Sequence, residues 1–131
     1  MPSIFTKIVA GEIPSYKVAE TDDYLAFLDI RPMREGHTLC IPKREVDYYY
    51  DLTDEELQGL TLFCKQVAAA IRSVIPCNRI ATAVLGLEVP HAHVHLVPVD
   101  SMRDFAFGRH LEIPSEQMAA LAQRIAAAYT A

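Results

Sequence analysis

Pro90-His91-Ala92-His93-Val94-His95-Leu96-Val97-Pro98 is the stretch from which this chain is read, and it holds three of the five histidines at alternate positions. A β-strand repeats its side-chain direction every two residues, so the stretch predicts a strand with His91, His93 and His95 on one face. Ala92, Val94 and Leu96 then face a core. The proline at each end is expected to bound the strand, because proline cannot donate to a ladder. Strand rise would space successive imidazoles roughly 6.5–7 Å apart. One such histidine is an ordinary strand residue. Three in strict alternation, with small or apolar residues between them, point to chemistry.

Two chemistries fit. Neutral imidazole binds zinc, but on a straight strand the outer two rings stand about 13 Å apart and converge poorly on one ion. Cys40, Cys64 and Cys77 are widely spaced and form no C-x-x-C pair. No metal and no cofactor are therefore expected, although a metal-dependent hydrolase on the three-histidine strand is the competing reading. The second chemistry is attack on phosphorus. The middle ring, His93, can act as nucleophile while its neighbours hold it in one tautomer and supply a proton donor near the leaving group. Imidazole titrates near neutral pH, so it suits both roles.

Outward from this stretch the chain reads as a mixture of helices and strands. Residues 4–10 predict a short helix that Gly11 ends. Tyr16 to Glu20 and Tyr24 to Leu28 read as strands joined at Asp22-Asp23. His37 to Pro42 reads as a third, after a loop that ends at Gly36. Thr53-Asp54-Glu55-Glu56 is a capping box that opens a helix to about Val74. Leu57, Leu60, Phe63, Cys64, Val67, Ala68 and Ile71 form its buried stripe, and Pro76 stops it. Arg79 to Leu85 predicts a fourth strand, and Gly86 turns the chain into the histidine strand. Ser115 is expected to cap a last helix over residues 116–129. Strands and helices mix without βαβ regularity. The fold class is therefore α+β, an antiparallel sheet of about five strands with a central helix and a C-terminal helix.

Length and composition set bounds. A chain of 131 residues, 51% of them hydrophobic, makes one domain over residues 1–131 with a substantial core. It has no apolar run long enough to span a bilayer. The N-terminal stretch lacks a secretory apolar core, and three unpaired cysteines suit a reducing compartment, so a cytoplasmic location is expected. A net charge of −5 speaks against a nucleic-acid partner but not against one nucleotide in a local pocket.

The histidine stretch resembles the histidine triad (HIT) motif, His-φ-His-φ-His-φ-φ, where φ is apolar. Ile4-Phe5-Thr6-Lys7-Ile8-Val9-Ala10-Gly11-Glu12-Ile13-Pro14-Ser15-Tyr16, Leu25-Ala26-Phe27-Leu28-Asp29-Ile30 and Gly36-His37-Thr38-Leu39-Cys40-Ile41-Pro42-Lys43 are similar to the N-terminal half of the family's Hint branch. The resemblance implies a HIT-like fold and a homodimer in which two sheets join. It implies hydrolysis or transfer at the α-phosphate of a purine nucleoside phosphoramidate or related conjugate. His93 matches the nucleophile, which forms a nucleotidyl-histidine, and His95 the contact to phosphate and leaving group. His91 and His37 match supporting histidines. Asp29 matches the carboxylate that accepts the ribose hydroxyls, a role its two oxygens suit. Ile30, with Phe27 and Ile8, matches the lining of the base pocket. A dinucleoside polyphosphate hydrolase and a non-catalytic nucleotide-binding module are the alternatives.

The chain departs from the family pattern in two places. Zinc-containing members carry Cys-x-x-Cys where this chain has Ser3-Ile4-Phe5-Thr6, and a histidine where it has Glu45, which argues against a structural zinc. Before the triad, family members carry polar phosphate contacts after the glycine. Gly86 is kept here, but Leu87 and Glu88 follow it. Leu87 cannot hydrogen-bond a phosphate, and an ionised Glu88 near one would repel it. Glu88 then points away, is protonated, pairs with an imidazolium, or serves as a base or amine contact. His110, with Arg103 and Arg109, reads as solvated surface; the resemblance leaves an arginine contact with an anionic leaving group as the alternative, because family C-terminal segments approach the active site. Tyr48-Tyr49-Tyr50 reads as packing or a dimer contact.

Overall fold

The computed structural model describes residues 2–131. Five antiparallel strands form one sheet: β1 (Lys17–Glu20), β2 (Tyr24–Leu28), β3 (Thr38–Pro42), β4 (Arg79–Ala83) and β5 (Val94–Val99), in the spatial order β1-β2-β3-β5-β4. Three helices pack on it: α1 (Ile4–Val9), α2 (Asp54–Val74) and α3 (Ser115–Ala128). This is the α+β architecture expected. No helix among the described residues is long and apolar enough to cross a membrane.

The two faces of the sheet have different tasks. Ala26, Leu28, Cys40, Val94 and Leu96 pack against Leu60, Phe63, Val67 and Ile71 of α2 and against Leu121 and Ile125 of α3. The alternate residues Leu25, Phe27, Leu39 and Ile41 turn to the opposite face, where Phe5, Ile8 and Val9 of α1 cover them. Strand periodicity puts His95 on this second face, directly across from Leu39. One sheet face thus carries the main core, and the other carries the site.

The capping box forms as expected: Glu56 N–H donates to Thr53 Oγ1 at 3.1 Å, and Thr53 N–H to Glu56 Oε1 at 3.0 Å. The buried stripe of α2 is Leu60, Phe63, Cys64, Val67, Ala70 and Ile71, with Leu57 and Ala68 at its margin.

Four expectations need correction. The histidine strand begins only at Val94, so His91 and His93 precede it and straight-strand spacing does not apply to them. Ala92 N–H donates instead to Val46 O at 2.7 Å, so residues 91–93 are held by a loop rather than a ladder. Pro98 lies inside β5 rather than ending it, opposite Ile80 of β4. The pairing with β3 stops at Leu96, so a proline beyond that point leaves no β3 acceptor short. Third, Pro114 rather than Ser115 takes the N-cap of α3; no side chain caps it, and Pro114 O accepts from Met118 N–H at 3.0 Å. β4 also ends at Ala83 rather than Leu85, because its partner β5 begins just across from Ala83.

Gly36 sets the entry to β3. Its φ is +92°, and an added Cβ would collide with Ile75 Cδ1 and stand 3.2 Å from Pro98 Cγ. The positive φ requires glycine, and the Ile75 and Pro98 side chains would have to shift for any added Cβ. Gly36→Ala is expected to cost about 2–3 kcal/mol, read as a lower urea midpoint with unchanged slope. A midpoint equal to the parent's refutes the assignment.

Candidate active site

The loop between β2 and β3 builds one wall. Past the last paired residues, Leu28 and Thr38, the backbone stays antiparallel, and Asp29 N–H donates to His37 O at 2.9 Å. Asp29 and His37 are therefore neighbours across the hairpin. Asp29 Oδ1 accepts Arg31 N–H at 2.9 Å, and Oδ2 lies 3.6 Å from His37 Nε2. The loop is anchored by Arg34 to Asp104 at 2.6 Å and by Leu111 N–H donating to Pro32 O at 2.7 Å.

The hydrogen-bond partners assign each ring its tautomer. His93 Nδ1 is 2.7 Å from the carbonyl oxygen of His91, which can only accept. His93 therefore carries its proton on Nδ1, and Nε2 is left with a free lone pair. His37 Nδ1 accepts Met33 N–H at 3.1 Å, so its proton is on Nε2, which donates to His95 Nδ1 at 2.9 Å. His95 then carries its proton on Nε2. One ring offers a nucleophilic nitrogen and its neighbour, 5.1 Å away between centroids, offers a donor.

Burial governs the charge of these groups. It lowers the pKa of His37 to about 4, and the adjacent His93 adds to this. Burial likewise lowers His95 to about 4, with His37 and His93 acting in the same sense and Asp29 opposing. Both rings are neutral at pH 7. Burial raises Asp29, against the Arg31 N–H and the histidines, which lower it.

His93, His95, His37 and Asp29 open onto one cleft of about 500 Å³. Phe27, Ile8 and Ile30 line its apolar end, with Ile30 75% exposed at the rim. Gly86 and Glu88 also line the cleft, and Glu88 is exposed. His91 is the predicted site residue that does not reach the cleft. Its ring is 0% exposed; Nε2–H donates to Pro42 O at 2.8 Å, and Nδ1 accepts the Ser3 hydroxyl at 2.8 Å. Three histidines on one open face is thus corrected to two in the cleft, with His37 as the third.

Several residues here escaped the sequence. Phe5 sets its ring edge-on to His93 at 5.1 Å, and Phe107 does the same to His95 at 5.1 Å. Arg109 and His110, read mainly as surface, are exposed but line the cleft, which agrees with the alternative of an arginine near the site; Arg103 is not in the lining, and its main-chain oxygen accepts from Arg109 at 2.9 Å. No local pattern marks a phenylalanine beyond the last strand as a neighbour of the triad.

The HIT domain profile matches residues 10–102. The chain belongs to the HIT family. An adenosine 5′-monophosphoramidase of Schizosaccharomyces pombe is 42% identical over 103 residues, covering 75% of this chain and 74% of that protein. The crystal structure of a HIT-like protein from Bartonella henselae, described as involved in cell-cycle regulation, superposes with a TM-score of 0.83. It is 30% identical and covers 96% of this chain and 95% of that one. A zinc-bound HIT family protein from Mycobacterium smegmatis gives a TM-score of 0.81 at 27% identity, over 95% and 91% of the two chains.

The metal in that relative raises the question of fit. The positions at which zinc-containing members carry soft ligands hold Ser3, Thr6 and Glu45 here, beside His91. Two neutral hydroxyls are poor zinc ligands, and both are engaged in hydrogen bonds. This set does not fit a structural zinc. Among the described residues, the His, Cys, Asp and Glu group whose donor atoms lie within 4.8 Å of one another is Asp29, His37 and His95. The reading of His91, His93 and His95 as one chelating set is corrected: His91 and His93 direct their nitrogens to different partners.

Proposed function

We propose that this HIT protein is a nucleotide hydrolase or transferase acting at the α-phosphate of a purine nucleoside phosphoramidate, through a nucleotidyl-histidine on His93. The observation that carries this reading is the pair of tautomers. His93 Nε2 is bare, and His95 Nε2–H stands beside it. In the first half-reaction Nε2 of His93 attacks phosphorus and the phosphorus–nitrogen bond breaks. His95 Nε2–H holds the departing amine by a hydrogen bond while the amine takes up its proton from solvent. In the second half, water attacks phosphorus, the bond to His93 Nε2 breaks, the proton of the water passes to solvent and the mononucleotide leaves. The bond from His93 Nδ1–H to the His91 carbonyl steadies the positive ring in between.

Asp29 supports ribose recognition, since it stands half-buried at the cleft wall with its two carboxylate oxygens as acceptors for a vicinal diol. The apolar end formed by Ile8, Phe27 and Ile30 supports a base slot. The relative's phosphoramidase activity supports the leaving group. A homodimer and a cytoplasmic location belong to the same reading; exposed Tyr48 and Tyr50 offer a surface for the first.

The test is AMP release from adenosine 5′-phosphoramidate, measured beside a diadenosine polyphosphate. Faster release from the phosphoramidate, with a trapped AMP–protein adduct, is the expected result. Preference for the dinucleotide would move the assignment to a polyphosphate hydrolase. AMP binding without turnover of either would leave a binding module.

A further inference from the structure

A polar cluster lies behind the nucleophile, on the side away from the cleft. Ser3 is buried and caps α1, its Oγ accepting Thr6 N–H at 3.0 Å and donating to His91 Nδ1 at 2.8 Å. Glu45, just past the end of β3, accepts two donors from the first turn of α1: Ser3 N–H and the Thr6 hydroxyl, each at 2.6 Å. These bonds hold the carboxyl of Glu45 below the usual carboxylate range, led by the Ser3 amide. The Thr6 hydroxyl proton is committed to Glu45, so Ser3 is left as the donor for His91 Nδ1.

We propose that Ser3, Thr6 and Glu45 are positioning residues. They hold the His91 ring with its proton on Nε2, and through the His91 main chain they hold His93 with its Nε2 bare. This rests on the reading of His93 as nucleophile. The path is continuous: Glu45 orients Ser3 and Thr6, Ser3 fixes one nitrogen of His91, and Pro42 O fixes the other at 2.8 Å. His91 cannot turn without losing one of these bonds in a site from which water is excluded. Its carbonyl is the acceptor that keeps the His93 proton on Nδ1. The ring bonds anchor the His91 main chain; their loss loosens the segment that carries that carbonyl and frees His93 to carry its proton on the attacking nitrogen. The residues that replace soft metal ligands in this chain do by hydrogen bonding what a metal does by coordination: they fix a histidine ring.

The imidazole nitrogen shifts of 15N-labelled protein, recorded where the rings are neutral, test this in the parent, Ser3→Ala, Ser3→Thr and Glu45→Gln. The parent is expected to show His91 protonated on Nε2 and His93 on Nδ1. In Ser3→Ala both rings are expected to move toward mixed tautomers, and Ser3→Thr is expected to restore them. AMP release should fall roughly 10- to 100-fold in kcat for Ser3→Ala, with KM within about twofold, and recover in Ser3→Thr. Unchanged nitrogen shifts at either ring in Ser3→Ala overturn the proposal. If that protein does not fold, Glu45→Gln decides, because Glu45 is exposed and its loss leaves the core intact; unchanged shifts there overturn the proposal equally. A parent that binds AMP but releases none would refute the proposed function, while the shifts would still decide whether this cluster sets the tautomers.

Discussion

His93→Ala is expected to lower AMP release from adenosine 5′-phosphoramidate roughly 10,000-fold or more, while the protein stays folded and binds AMP. The size of the effect follows from the geometry. His93 is the ring that presents a bare nitrogen to the cleft; His37 and His95 have committed their acceptor nitrogens to Met33 N–H and to each other. A neighbouring ring cannot take over, because His95 would first have to lose its bond to His37. The variant keeps Asp29 and the apolar slot, so it separates binding from turnover. Steady-state rates and a nucleotide pulse would be measured together. A residual rate within tenfold of the parent, or an adduct that still forms, would remove His93 from the reaction.

Stability is expected to fall by on the order of 3 kcal/mol as the pH drops from about 6.5 to about 4, through His37 and His95. The sign follows from proton counts. In the unfolded chain both rings bind protons near pH 6.5; in the fold they resist until about 4. The unfolded state therefore holds more protons across this window, and stability rises with pH through it. Because the rings share one hydrogen bond, they titrate as a pair, and the first proton has the largest effect. Protonating His95 on Nδ1 would set two donors face to face at 2.9 Å. Asp29, raised by burial, acts in the opposite sense and flattens the acid end of this rise. Urea midpoints across this range, for the parent and His37→Gln, provide the check. A flat parent profile, or a slope unchanged in His37→Gln, would refute the pair as its origin.

Local patterns in the chain anticipate much of this. The capping box at Thr53 and the three-four spacing of Leu60, Phe63, Val67 and Ile71 announce α2, because helix ends and stripes are local. Alternation announces which face His95 shares with Leu39, because strand direction is local too. What the alternation misses is where the ladder starts. His91 and His93 carry the same period as His95, but Ala92 between them donates its N–H to Val46, far earlier in the chain, and nothing in 90–98 records that partner. The same holds for the site. Asp29, His37, His93 and His95 are legible as polar residues set among apolar strands. Phe5 and Phe107 reach the rings from distant segments, and their neighbourhood exists only in three dimensions. Ser3, Thr6 and Glu45 were visible as replacements, but not as a connected set.

The strand order has a consequence for how such a protein is made. β5 is the last strand in the chain, yet it lies between β3 and β4, and it bears His95. Until it arrives, β4 has no sheet partner and β3, buried along its whole length in the finished fold, shows an open edge. A growing chain therefore holds Asp29 and His37 without their partners: the segment that closes the sheet also brings His93 and His95. Structural completion and chemical competence come in one event, so a partly synthesised copy is sticky but inert.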